Sequence, residues 1–392
     1  MRTRTGAART LLVAATVAGL SGCADEPDPT AAAPSSASAS ASASASASAS
    51  AGSCAEQTLA SLSPEQQAGQ LLMVGVPVQD PVAGFAELPD VGVGGVFLYG
   101  RSAAGVTAVA DQVAQLQEAA ALPLQVAVDQ EGGAVQTLRG PGFDDVPTAV
   151  EQGRLAPEEL AAATARWARQ LRDAGITMDL APVADTVPAG SEADNPPIGA
   201  FDRQYGSDPG QVAATVGTVV TALQDAGVAA TAKHFPGLGR VRVNTDTDVG
   251  ATDSETSATD PFLEPFAAAV AADTAAVMVS SATYPQLDPD RLAVFSPAVL
   301  DLLRSRLGFD GVVISDDVGP AVALSGTPVG QRAVDAVAAG VDVVLDKDPD
   351  HAVPMADALA DRAGTDPAFA DRVRGSAGRV LALKERFGLL TC

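Results

Sequence analysis

The sequence predicts an α/β fold, a (β/α)8 TIM barrel, regular or irregular, in a single domain. Three observations lead there. Eight short, β-rich apolar runs recur along the chain: Gln70–Val76, Val93–Tyr99, Leu124–Asp129, Ile176–Val183, Val228–Lys233, Ala276–Ser281, Gly311–Ser315 and Val341–Leu345. Longer Ala- and Leu-rich stretches of helical period separate most of them, 103–120, 157–174 and 211–226 among them. The runs are close to continuously apolar, as strands of a parallel sheet under a coat of helices must be. Eight strand–helix repeats suggest closure into a barrel. An open doubly wound sheet is the alternative, and it lacks a Gly-x-Gly-x-x-Gly string after the first run.

The first 53 residues stand apart from this pattern. Arg2, Arg4 and Arg9 precede an apolar stretch, Leu11–Leu20, that is too short to span a bilayer comfortably. Leu20-Ser21-Gly22-Cys23 follows, small residues before a Cys, as in a bacterial lipobox. Residues 1–22 then read as a lipoprotein signal peptide, and Cys23 as the lipidated new N-terminus anchoring the protein to the outer face of the cell membrane. Residues 23–53 read as a disordered tether, since Ala31–Ser53 is nearly all Ser and Ala and has no large side chain to bury. Such a tether reaches roughly 30 Å. With Cys23 acylated, Cys54 and Cys392 remain, at the two edges of the 54–392 domain. Disulfides are permitted outside the cytoplasm and domain termini often lie close, so a Cys54–Cys392 bridge is expected. The domain begins on a helix signal, Ser63-Pro64-Glu65-Gln66.

The formal charge is −24, with 48 Asp and Glu against 24 Lys and Arg, which argues against nucleic acid as a partner. No metal constellation is visible, and no cofactor is implied. The sequence leaves the oligomeric state open.

Barrel active sites lie just beyond the strand C-termini, and polar residues gather there. The third run leads into Asp129-Gln130-Glu131-Gly132-Gly133, the fourth to Asp185, the fifth to Lys233-His234-Phe235-Pro236-Gly237-Leu238-Gly239, the sixth to Ser280-Ser281 and the seventh to Asp316-Asp317. Glycoside cleavage commonly uses two carboxyl groups, one as nucleophile or base and one as proton donor. Asp316 is the candidate nucleophile. Asp317 is expected to point away from the barrel mouth and to serve as an acid at a helix N-terminus.

Four strings in order, Lys233-His234-Phe235-Pro236-Gly237-x-Gly, Asp129-x-Glu-Gly-Gly, Asp202-Arg203-x-Tyr-Gly-x-Asp-Pro and Val312-Val313-Ile314-Ser315-Asp316-Asp317, resemble glycoside hydrolase family 3. More narrowly the chain resembles its single-domain β-N-acetylhexosaminidases of the NagZ type, from about Leu62 to Leu389. The resemblance implies a retaining mechanism through a covalent glycosyl intermediate on Asp316. It also implies sugar binding by Asp129, Arg203, Lys233 and His234, and removal of terminal N-acetylglucosamine from peptidoglycan or muropeptide fragments.

The chain departs from that pattern at the proton donor. Where the family carries Asp-Ser-His after the glycine turn, this chain has Asn244-Thr245-Asp246, as do actinobacterial lipoprotein members of the family. Asp246 is therefore the candidate acid/base. A leaving group that needs little protonation, or a barrel that binds sugar without efficient turnover, remains open. His351 is a remote substitute. The family's two arginines in the first string are Ala134 and Thr137, for which Arg139 is the expected compensation, and a family His after the sixth strand is Ser281. Other family-3 exo-β-glycosidases, β-glucosidases among them, and a weakened surface lectin are the competing readings.

Overall fold

The computed structural model describes residues 52–392 apart from residues 87, 246, 247 and 320. The proposed signal peptide, Cys23, most of the tether and Asp246 lie outside the described residues. Ala51–Cys392 forms a compact unit of its own.

Eight parallel strands build one sheet: β1 (Leu72–Pro77), β2 (Gly95–Tyr99), β3 (Gln125–Val128), β4 (Met178–Asp179), β5 (Ala229–Phe235), β6 (Ala276–Val279), β7 (Val312–Ser315) and β8 (Val344–Asp346). They lie in sequence order, with β8 returning beside β1 through the Leu72–Val344 to Val74–Asp346 register. β7 meets β8 through an isolated bridge between Ile314 and Val343 and a hydrogen bond from Ser315 N to Val343 O of 2.9 Å. The sheet thus closes on itself and leaves no free edge.

Each expected run overlaps a strand, but several strands are shorter and those ending at Pro77, Phe235 and Asp346 run past the expected ends. The fourth run spans eight residues of sequence, yet only Met178–Asp179 pairs as a strand, with one further bridge from Val183 to Lys233. The intervening Pro182 has no N–H to give a ladder, which accounts for the break.

Helices Val106–Ala119, Pro157–Asp173, Pro209–Asp225 and Val329–Ala339 cover the outside. The Ser63 start signal is a reciprocal cap: Ser63 Oγ accepts from Gln66 N at 3.3 Å, and Gln66 Oε1 accepts from Ser63 N at 2.9 Å. Between helices and sheet lies the main core. A second core fills the barrel itself with Met73, Phe97, Met178, Leu180, Met278, Ile314 and Leu345. Three unbranched methionines here suit an irregular interior lined otherwise by Ala127, Ala229 and Ala276. Phe97, Leu180, Met278 and Leu345 are also the floor of the cavity at the strand C-termini, so the site rests on packed core.

The first helix, Cys54–Ser61, and the last, Pro367–Arg386, pack together. Glu385 accepts the N–H groups of Cys54 at 3.0 Å and Ala55 at 3.2 Å, two donors that the helix start leaves unpaired. Cys54 and Cys392 form a disulfide, with Cα atoms 5.5 Å apart. Because the bridge restrains the unfolded chain across nearly the whole domain, Cys392→Ser is expected to lower stability by about 2–4 kcal/mol. Urea titration reads this as a lower midpoint together with a steeper slope, the mark of a more expanded unfolded state. An unchanged midpoint would show that the Glu385 clasp alone holds the ends.

Candidate active site

The strand C-termini surround a cavity of about 480 Å³, within the range of small-molecule sites. β3 delivers Asp129, β5 delivers Lys233 and His234, β7 delivers Asp316 and Asp317, and the loop ahead of the Pro209–Asp225 helix delivers Arg203. After β3 the chain folds into a small antiparallel hairpin, Gln130–Gly132 with Val135–Gln136, that forms one wall. Gly132 makes that turn at φ 105°, and a Cβ there would lie 2.1 Å from the Pro147 carbonyl oxygen. Only glycine fits both conditions.

At the centre is Glu131. Its carboxylate accepts a two-pronged contact from Arg203, at 2.8 Å from Nε and 2.7 Å from Nη2. Lys233 Nζ lies 2.7 Å from the same carboxylate and 2.6 Å from Asp129 Oδ1. Burial opposes the charge on Glu131, but Arg203 and Lys233 outweigh it and hold the carboxyl down at about 2. Burial likewise opposes the charge on Lys233, and Asp129 and Glu131 overcome it, so its pKa is raised. Beneath them burial pushes Asp179 up to about 7, against the Gln130 N–H that its Oδ1 accepts at 3.0 Å. Lys233, Arg203 and Asp129 all line the cavity, so a ligand meets two donors and an acceptor already fixed in place.

His234 is aimed from behind by Asp185, which is fully buried. The Asp185 carboxylate lies 2.7 Å from His234 Nδ1 and also accepts the N–H groups of His234 at 3.2 Å and Leu238 at 2.7 Å. A carboxylate at Nδ1 fixes the orientation of the ring and turns Nε2 away from it. The loop after β5 is pinned by two further side chains. Asn195 donates to the Leu238 and Val241 carbonyls at 2.8 and 2.7 Å, and Tyr284 donates to the Gly237 carbonyl at 2.9 Å. Gly239 passes so close to the segment after β4 that a Cβ would lie 1.7 Å from the Thr186 carbonyl oxygen.

Asp316 follows β7, its N–H bonded to the Val279 carbonyl at 2.9 Å. The reading of Asp317 needs correction. It lines the same cavity rather than turning away, and no helix begins at it. The physical reason is that β7 ends at Ser315, so the alternation of an extended strand does not carry to residue 317. Asp317 Oδ1 accepts the N–H groups of Gly319 at 3.0 Å and Lys347 at 3.1 Å. Burial, then the nearby Asp346 and Asp316, push this carboxyl up to about 7 against those two donors.

Asp129, Arg203, Lys233, His234 and Asp316 are therefore brought together. Asn244 and Thr245, the two residues before Asp246, also line the cavity. Two expected substitutes fall elsewhere. Arg139 is engaged by Asp145 and the Gly133 carbonyl and is not among the lining residues. His351 is held by Asp346, 2.9 Å from Nδ1, outside the cavity lining. Ser281 is buried and its hydroxyl has no partner among the described residues. Sequence reasoning missed the hub role of Glu131, the orienting role of Asp185, and the rim residues Arg101 and Lys347. An Asp directly after the broken fourth strand was the one available signal for Asp185. Arg101 and Lys347 were legible as cations next to the ends of β2 and β8.

The model of the glycosyl hydrolase family 3 N-terminal domain matches residues 64–383. The chain belongs to this family. It is a glycoside hydrolase by that membership. It is 38% identical over 288 residues to a β-hexosaminidase of Stenotrophomonas maltophilia strain K279a, covering 70% of this chain and 82% of that protein. The solved β-N-acetylhexosaminidase from Beutenbergia cavernae DSM 12333 is 46% identical with a TM-score of 0.80, covering 83% of this chain and 99% of that one. The family 3 β-N-acetylglucosaminidase from Paenibacillus sp. str. FPU-7 is 33% identical with a TM-score of 0.74, over 84% and 64% of the two chains.

Glu131→Gln removes the shared anion and leaves Lys233 and Arg203 buried without it. The expected loss is about 3–5 kcal/mol of stability, read by urea unfolding at neutral pH. The sign with pH follows from the lowered carboxyl. Its contribution is complete above about 4.5 and disappears as pH falls through about 2. The wild-type protein should lose stability across that window, and Glu131→Gln should lose less.

Proposed function

We propose that the protein is an exo-acting, retaining β-N-acetylglucosaminidase that removes terminal N-acetylglucosamine from peptidoglycan or muropeptide fragments. One observation carries this reading: Asp316 shares a cavity with the preorganised Lys233, Asp129, Arg203 and His234 set, in a family whose similar members bear β-hexosaminidase names. Asp316 attacks the anomeric carbon, its carboxylate forming an ester as the glycosidic C–O bond breaks. The departing oxygen takes a proton from the acid. Water, deprotonated by the conjugate base, then cleaves the ester, and the free sugar leaves with Asp316 restored. Lys233, Asp129, Arg203 and His234 hold the sugar hydroxyls and acetamido group.

Asp246 is the proposed acid/base, supported by the cavity position of Asn244 and Thr245. A second reading for the proton rests on Asp317, which lines the cavity and is raised to about 7, so that it holds a proton near neutrality. Lipidation at Cys23, followed by the Ser/Ala tether, would hold the domain off the outer face of the membrane near such glycans. Cys23→Ala should then move the protein from the membrane fraction to the medium.

The deciding assay uses aryl β-N-acetylglucosaminide and aryl β-glucoside. The first should be hydrolysed far faster, and Asp316→Ala should lower that rate by roughly a thousandfold or more. Release from neither substrate would favour a sugar-binding barrel, and the opposite preference a β-glucosidase. For the proton donor, Asp246→Asn and Asp317→Asn are compared on activated and poor leaving groups. The true donor's variant should lose about a hundredfold on poor leaving groups and much less on activated ones.

A further inference from the structure

The charges around the cavity are distributed against the trend of the whole chain. Acids outnumber bases 48 to 24 in the sequence. The cavity is lined instead by four cations, Arg101, Arg203, Lys233 and Lys347, and by three carboxylates, Asp129, Asp316 and Asp317. Lys233 and Arg203 are spent on Asp129 and Glu131, deep in the site. Arg101 and Lys347 differ on both counts. They are exposed, so they stand at the mouth, and among the described residues neither forms an ion pair.

Their placement is shared. Arg101 follows β2 and Lys347 follows β8, and β1 lies between those two strands. Lys347 Nζ sits 4.8 Å from the centre of the Tyr99 ring, two residues before Arg101. Arg101 Nη2 donates to the Ala134 carbonyl at 2.9 Å, which aims the guanidinium along the hairpin wall. Its own carbonyl accepts from Gln79 Nε2 at 2.8 Å, which fixes the backbone that carries it. Two cations thus stand on one side of the mouth, with a guanidinium whose remaining N–H groups are open to a ligand.

We propose that Arg101 and Lys347 form a carboxylate-binding rim, so that the preferred substrates carry a carboxylate on the group attached to the terminal sugar. This rests on the exo-glycosidase reading: the terminal sugar occupies the buried end beside Lys233, and the departing portion lies at the mouth. Once the inner pairs are matched, these two cations stand at the mouth and the carboxyl groups of Asp316 and Asp317 lie in the cavity behind them. Arginine suits a carboxylate partner, because its planar fork matches two carboxylate oxygens.

The test compares 3-carboxy-4-nitrophenyl and 3-carbamoyl-4-nitrophenyl β-N-acetylglucosaminides, nearly equal in shape and differing in charge. Wild type should favour the carboxylate in kcat/KM, and the double variant R101Q/K347M should lower that preference by about tenfold. Added salt should erode the wild-type preference, and R101K/K347R should retain most of it. Both changed side chains are exposed, and matching thermal midpoints would exclude misfolding. A ratio unmoved in the double variant overturns the proposal. If wild type cleaves neither compound, the glycosidase reading falls, and calorimetry with the corresponding thio-linked compounds decides the rim on its own. A carboxylate preference that disappears in the double variant supports it, and equal binding of the two compounds overturns it.

Discussion

The buried charge of Glu131 is the constraint on which the site depends. A carboxylate taken out of water costs several kcal/mol unless cations and hydrogen bonds replace the solvent. Here Arg203 and Lys233 replace it, and they come from different parts of the chain, the loop ahead of the Pro209–Asp225 helix and the end of β5. None of the three is comfortable alone. Glu131 holds its charge because Arg203 and Lys233 are in place, Lys233 holds its own because Asp129 and Glu131 face it, and the shared contacts tie the rim loops together. The sugar-facing donors are thereby fixed before any ligand arrives, and a ligand need not supply the energy to order them.

The same logic repeats one layer out. Asp185 is fully buried against His234, and three nitrogen contacts satisfy its carboxylate. Asn195 and Tyr284 reach the carbonyls of the turn after β5 from separate parts of the chain. The turn has no regular ladder of its own, so these side chains do for it what backbone pairing does for a strand. Gly239 permits the approach by leaving no Cβ in the way of Thr186. Barrel closure below and side-chain pinning above therefore make a rigid seat from segments that are loops by conformation.

Much of this was legible in the sequence, and the limits have physical causes. All eight strands could be found, because a parallel strand buried on both faces must be an apolar run. Their lengths were less legible where a proline interrupts the ladder, as in the fourth run. Asp129, Lys233, His234 and Asp316 could be placed on one rim because the fold gathers strand C-termini. The direction of Asp317 could not, since it depends on where β7 stops pairing, and that is set by neighbours rather than by local pattern. The hub role of Glu131 was hidden for a related reason. A lone glutamate in a glycine-rich turn gives no sign that two distant cations will bury it. Arg139 and His351 looked available as substitutes, and each is taken by a nearer partner.

The placement of Arg101 links these layers to specificity. With Ala134 and Thr137 in the hairpin wall, the wall itself offers no cation, yet a guanidinium reaches it from the neighbouring strand end and bonds the Ala134 carbonyl. A charge of −24 on the whole chain opposes the approach of an anionic substrate wherever it is unscreened. Screening decides otherwise: at physiological ionic strength charges are felt over about 8 Å, so distant surface carboxylates contribute little at the mouth. What an arriving group meets is local, two unpaired cations at the rim and matched pairs behind them. The mouth can therefore select for negative charge on a protein that is strongly acidic elsewhere, and the inner pairs can hold the sugar without competing for that charge, because each of their cations already has its carboxylate.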